Sequence, residues 1–199
     1  MRLFLKILYI VLGLFFLAFV IIQLFAIKSQ KSIETYNYIV EDIYDSFEVR
    51  AYESALFTSV KLPEAPFDTS SSQGFSILAG YIFGNNNENK KIAMTSPVSM
   101  TLEDSMTMMF MVPKKYNMES LPKPTQSNIK IKKIESKKMA AITFGGWAND
   151  KKINLYKSKL ISLLKSEGIS FSDNFFFFGY NAPYEFFNRK NEVLVELPK

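Results

Sequence analysis

The side chains able to do chemistry in this sequence are carboxylates, phenols, lysines and thioethers, because its 199 residues include neither His nor Cys. That removes Ser-His-Asp and Cys-His nucleophiles, His-ligated zinc, thiolate chemistry, iron–sulfur clusters and disulfides. What remains for catalysis is a Glu and a Tyr meeting in a pocket, where they would activate water or protonate a leaving group without an imidazole. Glu48, Glu53, Glu185 and Glu192, with Tyr52, Tyr180 and Tyr184, are the candidates. Met94, Met100, Met106, Met108, Met109 and Met111 form an unusual density of thioethers, soft enough to suit a flat aromatic ligand or to meet iron weakly, and equally suited to filling gaps in a core.

The net charge of +5 suggests nucleic acid until its distribution is followed. Residues 1–31 hold Arg2, Lys6, Lys28 and Lys31 and no acid, leaving 20 basic and 19 acidic residues beyond them. Lys130, Lys132 and Lys133 interleave with Ile129, Ile131 and Ile134 as the solvent face of a strand would, so no nucleic-acid partner is expected.

The elements that must position these groups begin with a basic tail, residues 1–6, and an apolar stretch, residues 7–27, interrupted by Gln23. As a helix this stretch reaches about 31 Å, matching a hydrocarbon core of about 30 Å. A cleaved signal peptide also starts with a basic region, but its apolar core is shorter, and Leu24 stands where a small residue is wanted before a cut. The expectation is therefore a single-pass signal-anchor with the following domain facing outward, as in a bacterial periplasm.

Residues 28–43 read as a tether and 44–199 as one domain, expected to be monomeric. Strand patterns occupy 47–52, 55–62, 98–102, 106–112, 129–134, 138–144, 175–180 and 192–197. Phe75, Leu78, Ala79 and Ile82 mark the apolar face of a first helix, with Ser70 to Ser72 as N-caps and Gly84 as its stop. Ile153, Tyr156, Leu160, Leu163 and Leu164 mark a second, with Asn149 as N-cap and Gly168 as stop. The pairs Gly84 and Gly168, Pro97 and Pro183, and Pro113 and Pro198 recur at offsets of 84 to 86 residues. This spacing predicts an α+β fold: an antiparallel β-barrel from two pseudo-symmetric β-α-β-β repeats with two flanking helices, preceded by the transmembrane helix. In the run Phe175 to Phe178 alternate rings should point to opposite faces, and with Phe186 and Phe187 part of this aromatic surface is expected to stay exposed to ligand or lipid.

Several stretches together carry a resemblance: FEVRAYE at 47–53, GF at 74–75, GYIFGN at 80–85, KIAMTSPV at 91–98, FMVP at 110–113, GYNAP at 179–183 and RKNEV at 189–193. In this order they resemble the SOUL haem-binding family over residues 44–199. The resemblance implies a barrel of two related halves, similar to bacterial effector-binding domains, and non-catalytic binding of haem or another tetrapyrrole in an apolar groove beside the first helix. It places Phe75, Leu78, Ala79 and Ile82 along that groove, with Met94, Met100, Tyr180 and Tyr184 as further contacts and Lys91 and Arg189 as partners for propionates. No His is available as an axial ligand, so iron would be met by Met or Tyr, or the porphyrin held by apolar contact alone. Two other classes stay open: a small-molecule, hydrolase-like enzyme using Glu and Tyr, and a membrane-proximal scaffold. A closed pocket with a buried Glu favours the enzyme, an open groove the binder, and a filled barrel the scaffold.

Overall fold

The computed structural model describes residues 2–30, 33–103, 105–182 and 184–198. Lys31 of the expected tether and the landmark Pro183 lie outside the described residues. The chain opens with helix α1 (Arg2–Gln30) and continues through strands β1 (Glu34–Thr35), β2 (Tyr38–Ile43), β3 (Glu48–Tyr52) and β4 (Ala55–Lys61). Helix α2 (Phe67–Ile82) follows, then β5 (Thr95–Ser96), β6 (Val98–Thr101), β7 (Thr107–Met111), β8 (Ile129–Ile134) and β9 (Lys137–Gly145). Helix α3 (Asp150–Ser166) precedes β10 (Phe175–Gly179) and β11 (Lys190–Glu196).

Nine strands form one antiparallel sheet in the order β2-β3-β9-β11-β10-β6-β7-β4-β8, curled as a half-barrel, while β1 and β5 pair separately in parallel. Beyond β2 the order reads alike from either end: β3 and β4 precede the first domain helix and β8 and β9 the second, these strands pairing across the halves as β3–β9 and β4–β8, while hairpins β6–β7 and β10–β11 follow the helices. Each half thus has two strands before its helix, one more than the unit read from sequence. The halves meet where β10 pairs β6, with Phe177 opposite Met100.

Strand alternation divides the core between the two faces of the sheet. Phe175 and Phe177 join Val60, Met108, Phe110, Ile142 and Val193 under the helices, whose contributions include Leu78, Ile82, Leu160 and Leu164. Phe176 and Phe178 join Tyr52, Phe57, Met109, Met111, Met139 and Leu194 on the other face. All four rings of the run are buried. The exposed aromatics are instead Trp147, Tyr184, Phe186 and Phe187, among others outside the sheet.

Helix α2 begins earlier than its serines suggest. Pro66 holds the N-cap position without a side-chain bond, and Ser70 to Ser72 lie within the helix, where the buried Ser70 hydroxyl donates to the Ala65 carbonyl. Pro66 can stand there because the first turn's amides have no intrahelical acceptor. Helix α3 is capped by Asn149, whose side chain accepts from the Lys152 amide at 2.9 Å. Gly84 (φ +124) and Gly168 (φ +68) follow the two C-caps with positive φ, which a side chain disfavours. At Gly74 the helix lies so close to the sheet that a Cβ would sit 2.7 Å from Leu62 Cδ1 and 3.1 Å from Met108 Cβ.

Within residues 34–43, a tether by sequence, 34–35 form β1 and 38–43 form β2. β2 is an edge strand whose side chains are mostly exposed, with a register shift between Val40 and Asp42, so no apolar alternation marks it. The lysine-bearing β8 is the other edge, and Lys130, Lys132 and Lys133 face solvent there. In α1, Phe4–Gln23 is long and apolar enough to cross a membrane by length and composition.

Candidate functional site

A groove of about 430 Å³ runs along one side of α2. The helix contributes Phe67, Asp68, Ser71, Ser72 and Phe75, and the sheet contributes Val98 and Met100 of β6, Met108 of β7, and Phe177 and Gly179 of β10. Trp147 and Ala148, from the turn entering α3, complete the wall with Asn181, Arg189 and Asn191. The alternation of β10 explains this membership: 177, 179 and 181 face the groove, whereas Phe178 and Tyr180 face away. Met100, Met108 and Phe177 are buried, and Phe75 is half-buried with its ring 5.5 Å from that of Phe110.

Arg189 is the cation of this groove. Its Nη1 donates to the carbonyls of Ala182 (2.9 Å) and Glu185 (2.7 Å), and its Cζ lies 3.9 Å from the centre of the Trp147 ring. Its Nε is buried with no hydrogen-bond partner among the described residues. Burial lowers the Arg189 pKa, opposed by the charge of Glu185.

The opposite face holds a buried ionic cluster. Arg50 offers Nη1 and Nη2 to the two carboxylate oxygens of Glu192, each at 3.0 Å. Glu192 also accepts from Tyr180 (2.6 Å) and Thr143 (3.1 Å) and pairs with Lys190 at 3.0 Å, while Arg50 Nε reaches Glu48 at 2.7 Å. Burial alone would raise the Glu192 pKa; the Arg50 fork overrides it and holds the carboxyl below its usual range. Burial, then the neighbouring Glu192 charge, pushes Tyr180 well above the usual phenol range. A Glu and Tyr pair therefore does come together, but its carboxylate is fully occupied by donors and fully buried, and it lines none of the described cavities. Such a carboxylate organises structure rather than abstracting protons.

Comparison with known proteins bears on what this arrangement is for. The family model described as "SOUL heme-binding protein" matches residues 33–196. The chain belongs to the SOUL family. Among its curated SOUL relatives, Heme-binding protein 1 of Xenopus laevis is 32% identical over 156 residues, covering 74% of this chain and 82% of that protein. Heme-binding protein 2 of Homo sapiens is 28% identical, covering 74% and 76%. Among solved structures, the EcmrR C-terminal domain aligns with TM-score 0.60 at 10% identity over 77% of this chain and 97% of that one. A hydrolase from Listeria innocua aligns with TM-score 0.55 at 8% identity, over 79% and 94%. At these identities the likeness is one of fold.

Of the ten SOUL-site candidates, the structure brings Phe75, Met100 and Arg189 together in the α2 groove. Leu78 and Ile82 are buried in the helix-side core and Ala79 is buried too, so of the stripe read as groove-lining Phe75 is the member that borders the groove. Met94 is half-buried against the helix-side core, and Lys91 is exposed in the loop after α2. Tyr180 faces the ionic cluster, and Tyr184 is exposed with its carbonyl accepting from Gln23. Sequence reasoning missed Asp68, Ser71, Trp147 and Asn181. Trp147, the single tryptophan, stands between Gly145-Gly146 and the Asn149 cap, and that placement in a turn was the available signal.

Proposed function

We propose that this SOUL protein binds haem or another flat, apolar tetrapyrrole reversibly in the α2 groove, without turnover, while held at a membrane by α1. The observation that carries the reading is the groove itself, which joins a floor of Met100, Met108 and Phe177 to one cation, Arg189. These residues fit a tetrapyrrole: the floor offers apolar contact, Arg189 suits a propionate, and Met100 and Met108 would supply the soft thioether donors available to an iron in this groove. Bound haem would bring a redox-active iron, but holding the ring requires only burial. At about 25 cal/mol per Å² of apolar surface, covering one porphyrin face yields several kcal/mol before ordering costs, which points to micromolar or weaker binding rather than tight binding. The relatives named as heme-binding proteins support the ligand class, and the occupied state of Glu192 supports binding over catalysis. Basic residues at the amino terminus favour a cytoplasmic N-terminus and an extracytoplasmic domain.

Haemin titration of the detergent-solubilised full chain, followed at the Soret band against a protein-free blank, tests this. The expected result is saturation at one equivalent in the micromolar range. Arg189→Gln should weaken binding by about tenfold, the loss of a charge-assisted bond, and Met100→Leu or Met108→Leu should move the Soret maximum if a thioether meets the iron. A linear, unsaturable response identical to haemin in detergent would overturn the proposal.

A further inference from the structure

The loop between β10 and β11 makes a contact that ligand binding does not require. Phe19 of α1 lies 6.0 Å from the ring of Phe186 and 6.4 Å from that of Phe187. One turn later, Gln23 Nε2 donates to the Tyr184 carbonyl at 3.0 Å and its Oε1 accepts from the Phe186 amide at 3.4 Å. Both helix residues lie within the apolar stretch Phe4–Gln23. A helical turn rises about 5.4 Å, so these loop rings sit level with its last apolar turn rather than beyond it.

The outward surface of this loop suits that depth. Tyr184, Phe186 and Phe187 are more than half exposed, as is Trp147, whose ring lies 6.0 Å from Phe186. The intervening acid, Glu185, turns inward: it is buried, accepts from Asn181 Nδ2 at 2.7 Å and lies beside Arg189. Three aromatic side chains thus point outward with their one charged neighbour withdrawn. Tryptophan and tyrosine prefer the headgroup level of a bilayer, where one end of the ring is apolar and the other wet.

We infer that the Tyr184–Phe187 loop and Trp147 insert into the lipid bilayer beside α1, forming a second membrane contact that sets one rim of the α2 groove at the lipid surface. The inference rests on the anchoring read for α1. Continuity with that helix selects lipid over a partner protein, because any surface flush with Phe19 shares its surroundings.

Trp147 is the only tryptophan, so the chain's indole emission reports on the turn that packs beside this loop. The full chain, free of haemin, would be reconstituted in phosphatidylcholine vesicles, and a parallel portion extracted with alkaline carbonate. Lipids brominated near the top of the acyl chains should quench Trp147 by about half or more, those brominated near the chain ends much less, as expected of an interfacial ring. Phe186→Ser combined with Phe187→Ser should remove the quenching while the chain stays carbonate-resistant. Release by carbonate would overturn the anchoring and the insertion together. Retention with Trp147 unquenched, whether open to iodide or shielded by protein, would overturn the insertion alone.

Discussion

Arg50 and Glu192 are the residues on which the sheet face away from the domain helices depends, because each neutralises much of the other's buried charge. Both are almost wholly inaccessible, and the pair is joined by two hydrogen bonds of 3.0 Å. Glu192→Gln keeps the shape but leaves Arg50 with only the partly exposed Glu48 as counterion, and should cost about 2–3 kcal/mol, below the full penalty of an unpaired buried charge. Urea unfolding of the detergent-solubilised chain, followed by far-UV circular dichroism, measures it. The same pair sets an acid limit. Because the folded-state pKa of Glu192 is depressed, its stabilisation is complete above the unfolded-chain carboxylate value, about 4.3, and is lost as pH falls through that value towards the lower folded one. Wild-type stability should therefore fall on acidification below about pH 5, and Glu192→Gln should fall less steeply; equal slopes would show that other carboxylates carry the acid response.

Among the elements, α2 is the one on which site and fold both depend, since one side of it packs on the sheet and an adjoining side walls the groove. Its closest approach is at Gly74, where a Cβ meets Leu62 and Met108. Gly74→Ala would lift the helix from β4 and β7, at a cost of about 1–3 kcal/mol, and should weaken haemin binding through displacement of Phe75 although residue 74 lines no part of the groove. Paired denaturation and Soret titrations test both effects. Helices, glycine stops and most strands were legible in the sequence because periodicity, caps and punctuation are local. Asn149, Gly84 and Gly168 act as their residue types suggest. The edge strand β2 was not legible, since its exposed side chains carry no alternation. At the site, Phe75, Met100 and Arg189 were reachable, the first and last through their place in family motifs and Met100 through the density of thioethers. Leu78 and Ile82 show the limit: an apolar helical stripe records what is buried, and only tertiary structure says whether sheet or ligand buries it. Tyr180 and Arg189 likewise came from one loop region yet face different sides, a matter of strand register.

For the whole molecule, the sheet, both domain helices and both cores are built from residues after 33, all but the core residue Leu197 within the reach of the family model. Deletion of residues 1–30 should therefore leave a domain that unfolds cooperatively. It would also strip the cover from Phe186 and Phe187, so the truncated protein should self-associate with rising concentration in analytical ultracentrifugation, and Phe186→Ser with Phe187→Ser should return it to a monomer. A truncated protein that stays monomeric would mean that the helix covers too little of the loop to matter.

Gln23 joins helix and loop through both ends of one amide. A domain hung from a helix by a peptide link alone would swivel; here the link is keyed. Turning α1 by a single residue, about 100°, would carry Gln23 away from both partners and leave its amide facing hydrocarbon in a bilayer. The α2 groove consequently holds one compass bearing around the helix axis. A second helix packing against α1 would meet either the groove side or the blank side, so the direction from which a neighbour approaches would decide whether the groove is open to exchange.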